Sequence, residues 1–495
     1  MQHKQLFIVN IVMLVINHRI FVKYIYSMKG IILLFFLTSW SVVSASTYYV
    51  ATTGNNSASG DISHPWATWQ KGFESAEPGD TVYFRGGVWY PAIVHSSQAV
   101  VVLAAPYATP HVGHDGTTEN PICMFAYPGE TPVLDCRNVK VPNLYLTGIG
   151  LSRCNFWTLK GLTIRNVLQS KVSTINGISD YGGSNNTYEN ITVHNVGGKG
   201  FLYTSSFQAA EFPEQATIIG DTLRYINCDA YNCADSIARD NSGRTDFGNY
   251  ADGFWGSIAN PVTYMIYSGC RAWNISDDGW DSPSNGKQEY LNCWAFNVGW
   301  GVGNGIGFRL EWYWEEPAPG LWINRIVTNC IAVFNTYAGF VEGVTGGYNQ
   351  GLHFYNNISY HNQYGIMMKG NRIGDEQENI YHNNIFYDNS TFDLLRGSVP
   401  MNHASNNFWG TKIELLNQND FIIPDHNPAV IVTDNDFVSL NPAGLTGPRQ
   451  ADGSLPYINF LKLNDKSDLK GAGTYAGMSK SPDIGIDWDF LRSRK

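Results

Sequence analysis

Tyr267-Ser-Gly-Cys-Arg-Ala-Trp-Asn274 and Tyr290-Leu-Asn-Cys-Trp-Ala-Phe-Asn297 are one unit written twice: an aromatic residue, Cys at the fourth position, Asn at the close. The unit returns upstream as Tyr188-Glu-Asn-Ile-Thr-Val-His-Asn195 and Tyr225-Ile-Asn-Cys-Asp-Ala-Tyr-Asn232. Downstream it reads Val327-Thr-Asn-Cys-Ile-Ala-Val-Phe-Asn335, Phe354-Tyr-Asn-Asn-Ile-Ser-Tyr-His-Asn362 and Tyr381-His-Asn-Asn-Ile-Phe-Tyr-Asp-Asn389. The closing asparagines lie 23 to 42 residues apart, so a constant strand is joined by loops of unequal length. A solenoid that carries its insertions on the outside has this signature.

The repeated segments are short, rich in β-branched and aromatic residues, and separated by Gly, Asn, Asp and Ser; no amphipathic helical stretch of useful length is evident. The expected fold is all-β, a right-handed parallel β-helix with an N-terminal cap and a C-terminal tail. Turns stacked about 4.8 Å apart bring equivalent side chains into columns. Cys228, Cys270, Cys293 and Cys330 share one column, continued by Asn190, Asn357 and Asn384, and read as buried filler rather than metal ligands. The closing asparagines are expected to bond from turn to turn at the bend.

A second anchor sets the register. Gly253, Gly279, Gly307, Gly339 and Gly365 open the segments Gly-Phe-Trp, Gly-Trp-Asp, Gly-Phe-Arg, Gly-Phe-Val and Gly-Ile-Met. If these glycines stack, Asp252 lies over Asp278 and Asp281 over Arg309, with Asp277 adjacent. Four carboxylates a few ångströms apart repel strongly unless protons or a cation neutralise them. Hard carboxylate oxygens suit Ca²⁺. The plain alternative, an acidic turn in which each Asp caps local N–H groups, explains single aspartates but not their stacking.

The 495 residues include 32 basic and 42 acidic groups and only 15% charged residues, so the chain is polar mainly through uncharged side chains. A net charge of −10 argues against nucleic acid as a partner. Met28-Lys29-Gly30, the apolar run Ile31 to Leu37 and Val43-Ser44-Ala45 read as a secretory leader cleaved after Ala45, with Met28 the true start. The leader takes Lys4, Arg19, Lys23 and Lys29 with it, and no acid. The remaining 450 residues then carry 28 basic groups against 42 acidic, a net of −14. A β-helix with its cap is expected over 46–410 and an extension packing on it over 411–495. The product is expected to be a secreted or periplasmic monomer with no membrane span. The eight cysteines contain no Cys-x-x-Cys pair, against zinc clusters and a dense disulfide framework, with an isolated disulfide left open.

Ala-Asp252-Gly-Phe, Gly-Cys-Arg-Ala-Trp-Asn-Ile-Ser-Asp277-Asp278-Gly-Trp-Asp281, Asn-Cys-Trp-Ala-Phe-Asn and Gly-Asn-Gly-Ile-Gly-Phe-Arg309-Leu together resemble polysaccharide lyase family 9, the β-helical pectate lyases. Tyr48-Tyr-Val-Ala-Thr-Thr-Gly54, Pro65-Trp-Ala-Thr68 and Pro78-Gly-Asp-Thr-Val-Tyr-Phe-Arg-Gly-Gly87 resemble that family's N-terminal cap, and Asn435-Asp-Phe-Val-Ser-Leu-Asn441 and Ser481-Pro-Asp-Ile-Gly485 its C-terminal part. The resemblance implies that Asp252, Asp277, Asp278 and Asp281 are Ca²⁺ ligands. It also implies a proton-abstracting base at position 309, where the family pattern Gly-Phe-Lys-Leu has Lys and this chain has Arg. A guanidinium is a poor base unless strongly perturbed. Arg309 is therefore either the base, as Arg is in unrelated β-helical pectate lyases, or a carboxylate binder beside another base such as Lys287 or Lys369.

The implied reaction is β-elimination on an acidic pectic polymer, polygalacturonate or the rhamnogalacturonan I backbone. Trp312 and Trp314 in Leu-Glu-Trp312-Tyr313-Trp314-Glu-Glu-Pro, and Trp322 after them, are candidate platforms for sugar rings or plain loop packing. A polygalacturonase-like hydrolase would also use paired aspartates. Its Gly-His-Gly and later Arg-x-Lys are missing downstream of Asp278, as is the Asp-Pro-His-Asp of a Ca²⁺-dependent epimerase. A non-catalytic carbohydrate-binding solenoid would give no reason for stacked acids beside Arg.

Overall fold

The computed structural model describes residues 45–94, 99–103, 115–140, 145–169, 174–204, 222–237, 247–257, 263–283, 286–310, 325–343, 351–368, 378–397, 401, 403–415, 430–477 and 479–493. Residues Ser46–Lys495 form one compact unit. Among the described residues the strands make three parallel sheets of 12, 11 and 10 strands, and the chain visits them in rotation. This is a parallel β-helix. Among the described residues no helix is long and apolar enough to cross a membrane.

The two corners flanking the 10-stranded sheet are made by left-handed residues in columns. Asn190, Asn227, Gly269, Asn292, Asn329, Asn356, Asn383 and Asn406 have φ between 53° and 65° at the first corner. Asn tolerates this region and Gly has no Cβ to clash, so the repeat alternates between only these two residue types. At the second corner Asn166, Asn195, Asn232, Asn274 and Asn297 hold the position, each of the second to fourth donating its amide to the one before at 3.1–3.3 Å.

Two expectations about the columns need correction. At the second corner the left-handed position passes to Phe334, His361 and Asp388, because Val333, Tyr360 and Tyr387 align with Phe296. Asn335, Asn362 and Asn389 sit one residue later and form a separate buried ladder, with Asn362 Oδ1 accepting from Asn335 N and Asn389 Oδ1 from Asn362 N at 2.9 and 3.0 Å. Asn190 belongs to the corner column, and the buried Ile191 holds the level of Cys228. None of the eight cysteines forms a disulfide, and seven are buried.

A helix at Trp69–Ser75 caps the first turns, with Thr68 accepting the Lys71 N–H at 3.2 Å and Trp69 and Phe73 packed on Phe84. It is too short to show helical periodicity in the sequence. The strand Ile413–Leu415 still pairs with Phe392–Arg396, so stacking runs past residue 410. The chain beyond 430 covers the 10-stranded sheet: Leu445, Ile458, Phe460 and Trp488 join Trp273, Trp294, Phe296 and Ile331 in one buried cluster. Arg449 pins it by donating to both oxygens of Asp229 at 2.5 and 3.1 Å.

Candidate active site

The site lies on the 11-stranded sheet, on successive strands β1 (Lys199–Thr204), β2 (Phe254–Ser257), β3 (Trp280–Asp281), β4 (Ile306–Arg309) and β5 (Ala338–Glu342). Phe201, Phe254, Trp280, Phe308 and Phe340 are paired in register and stack inward with ring centroids 4.6–5.1 Å apart. The glycine before each aromatic also faces inward. A Cβ on Gly253 would lie 2.7 Å from the Gly279 carbonyl oxygen and 2.8 Å from the core residue Ala272, and one on Gly279 2.5 Å from the Gly307 oxygen. Close backbone approach therefore requires glycine at these positions. Two inward residues in succession break the ordinary alternation of a strand, so the residue before the glycine and the residue two after it share the outer face.

That local break gathers the chemistry. Before the glycines stand Lys199, Asp252 and Asp278; two residues after them stand Trp255, Asp281 and Arg309, with Trp255 paired to Asp281 and Asp281 to Arg309. Asp252, Asp278 and Asp281 each offer a carboxylate oxygen within 4.8 Å of the others. Asp277 is adjacent, its Oδ1 accepting the Asn304 N–H at 2.6 Å. The Arg309 Nη1 lies 3.5 Å from Asp278 Oδ2 and 3.9 Å from Asp281 Oδ2.

The cluster is buried: Asp252, Asp277 and Asp278 are 1%, 4% and 0% exposed. Burial, then the neighbouring aspartates, push the Asp278 carboxyl well above its ordinary range against the opposing pull of Arg309. Burial and Asp252 do the same to Asp277, opposed by the Asn304 N–H and by Lys199. Asp278 Oδ1 accepts the Ile306 N–H at 2.9 Å, while its Oδ2 is buried and takes no hydrogen bond among the described residues. Converging carboxylate oxygens whose ionised forms repel one another fit a hard divalent cation. Asp235, which accepts from Ser276 Oγ at 3.2 Å, is pushed up by burial to about 6.

Two residues at this site escaped the sequence reading. Lys199 donates to Asp252 Oδ2 at 2.5 Å, and Trp255 sits on the outer face beside Asp281. The signal was present: Lys199-Gly200-Phe201-Leu202 has the pattern of Asp252-Gly253-Phe254-Trp255, and a Cβ on Gly200 would lie 2.6 Å from the Gly253 oxygen. The glycine column thus begins before Gly253. Lys287, a candidate base or polymer contact, opens a strand of the 12-stranded sheet instead, its ammonium 4.5 Å from the Tyr264 ring centroid. Trp312, Trp314, Trp322 and Lys369 lie outside the described residues.

Residues 48–393 match the family model described as the Pel9A-like, right handed beta helix region. The chain belongs to this family. Among curated relatives it is similar to pectate lyase L of Dickeya chrysanthemi, 26% identical over 460 residues that cover 88% of this chain and 89% of the relative. Pectate lyase L of Paenibacillus polymyxa is 28% identical, covering 88% and 86%. The solved structure of pectate lyase Pel9A superposes with a TM-score of 0.61 at 23% identity, over 90% of this chain and 96% of that one. A rhamnogalacturonan lyase structure gives 0.56 at 24% identity, over 85% and 97%. Both likenesses show the right-handed β-helix of this family in the present chain.

Proposed function

We propose that this family member is a secreted, Ca²⁺-dependent lyase that cleaves uronate-containing pectic polymers by β-elimination. The observation that carries the reading is the Asp252–Asp278–Asp281 trio, its first two members buried, with Arg309 on the next rung. Relatives named pectate lyase that align over most of both chains support it. Asp252, Asp278 and Asp281 would hold Ca²⁺, with Asp277 completing the charge. When bound, Ca²⁺ supplies a Lewis acid that stabilises the negative charge building on the substrate carboxylate as the adjacent C–H bond breaks.

Arg309 stands one rung beyond Asp281, facing outward and 23% exposed along its side chain. As the neutral guanidine, after it has released a proton to solvent, its Nη takes the C5 proton; the C–H electron pair becomes the C4–C5 double bond, the C4–O bond breaks, and the leaving oxygen takes a proton from water. The carboxylates at 3.5 and 3.9 Å hold the guanidinium protonated, so Arg309 acts as a base only when those acids are engaged elsewhere. Trp255 offers an apolar ring face beside Asp281 for a sugar. Trp312, Trp314 and Lys369 are retained as proposed polymer contacts, and Lys287 is left out of the site.

Incubation with polygalacturonate and, separately, rhamnogalacturonan I, with Ca²⁺ or a chelator, should generate ultraviolet absorbance from the new double bond only with Ca²⁺. Reducing ends without absorbance would establish a hydrolase instead. Arg309→Ala is expected to lower kcat by about a thousandfold, and Arg309→Lys to keep part of it. Full turnover in Arg309→Ala would remove Arg309 from the chemistry.

A further inference from the structure

Lys199 occupies the rung before Asp252, at the same outward position ahead of the inward glycine. The position is only 8% exposed, yet it holds an ammonium. Its Nζ donates to Asp252 Oδ2 at 2.5 Å and to the Tyr250 carbonyl at 3.0 Å, and lies 5.4 Å from the Trp255 ring centroid. A buried ammonium is costly to desolvate and is retained only where partners fix it. Here those partners include one of the carboxylates proposed as a cation ligand.

The charge count is specific. Among the described residues, Asp252, Asp277, Asp278 and Asp281 face two cations, Lys199 and Arg309, which leaves two negative charges for one divalent ion. Without Lys199 three would remain, buried within a few ångströms of one another. The ammonium engages Oδ2 of Asp252, while Oδ1 accepts the Asp278 N–H at 3.4 Å. Lys199 therefore fixes which way Asp252 turns and repels any cation that the trio takes up.

We propose that Lys199 is the resident counter-ion of the cluster: it lets the acidic rungs fold without Ca²⁺, orients Asp252, and holds the affinity for Ca²⁺ down so that the ion exchanges. This rests on the reading of the trio as a cation site. Lys199 is thus a positioning residue and a brake on metal retention, one that confines full occupancy to surroundings rich in the ion.

Calorimetric Ca²⁺ titration and thermal melting in chelator, on the full-length protein and its variants, test the idea. Lys199→Met, which keeps the length of the side chain and removes its charge, should tighten Ca²⁺ binding by about tenfold and lower Tm in chelator, with Ca²⁺ restoring it. Lys199→Arg should stay near wild type in both. In chelator, Lys199→Met combined with Asp252→Asn should melt above Lys199→Met alone, because the amide needs no counter-ion; a mere packing role would make the two losses add. Wild-type Ca²⁺ affinity in Lys199→Met, or additive losses in the double variant, would overturn the role of Lys199 alone. A wild-type protein silent to Ca²⁺ would overturn the site reading and the brake together.

Discussion

Two columns of the same helix obey opposite electrostatics. Asn357, Asn384 and Asn407 stack inside it, each amide donating to the next oxygen or to a carbonyl one rung away: Asn384 Nδ2 reaches Asn407 Oδ1 at 2.8 Å and Phe354 O at 3.0 Å. Asp252 and Asp278 stack on the outer face of the 11-stranded sheet with Asp281 beside them, three carboxylates with acceptors only. An amide column satisfies itself because every member brings donors as well as acceptors. A carboxylate column cannot, and its deficit is filled by Lys199, Arg309 and the proposed Ca²⁺. Repetition that makes scaffold from one residue type makes a cation site from another of the same shape.

Exchanging the two chemistries tests that contrast, and the largest effect is expected at the acids. Asp278→Asn keeps shape and the acceptor for Ile306 N–H but removes the central charge. Lyase activity should fall about a thousandfold and Ca²⁺ uptake should be lost, while Tm in chelator does not fall, since buried repulsion is relieved. The converse, Asn384→Asp, puts a carboxylate where two donors stood, facing Asn407 Oδ1 and the Phe354 carbonyl. It should cost about 3 kcal/mol in denaturant unfolding, with the activity of the folded fraction unchanged. If both variants lost stability alike, the acid column would be scaffold too.

The sequence carried the β-helix because its corners demand Asn or Gly in rungs and its core demands aromatic and Cys columns, and both demands leave residues at fixed offsets. Where a corner changes residue type the pattern is offset by one: Phe334, His361 and Asp388 adopt the left-handed conformation at 51–58°, and Asn335, Asn362 and Asn389 form the inner ladder beside the corner. Asp252, Asp278, Asp281 and Arg309 were legible because a glycine is forced wherever backbone meets backbone, and that glycine fixes what stacks. Lys199 was not, since a long insertion separates Gly200 from Gly253 and a lysine does not announce an acidic neighbour. The cap helix at Trp69–Ser75 is one short element with no repeat to reinforce it.

The smallest expected effect separates the columns by pH. Asp277 and Asp278, and Asp235 at about 6, keep their protons in the folded protein to higher pH than in the unfolded chain, where such carboxyls ionise near 3.8. Between those values the native state binds more protons, so this contribution to stability is full below the unfolded pKa and is lost as pH rises through the folded values. The buried Glu342, pushed up in the same direction, adds a loss that Ca²⁺ does not address. The difference in Tm between Ca²⁺ and chelator isolates the cluster from it. That gap should be small near about pH 5, where protons already neutralise the acids, and widen by several degrees toward about pH 8, where only a cation can. The Asn ladder, with nothing to titrate, contributes equally at both ends, so a gap that stayed constant with pH would mean that Asp277 and Asp278 do not keep their protons in the metal-free fold.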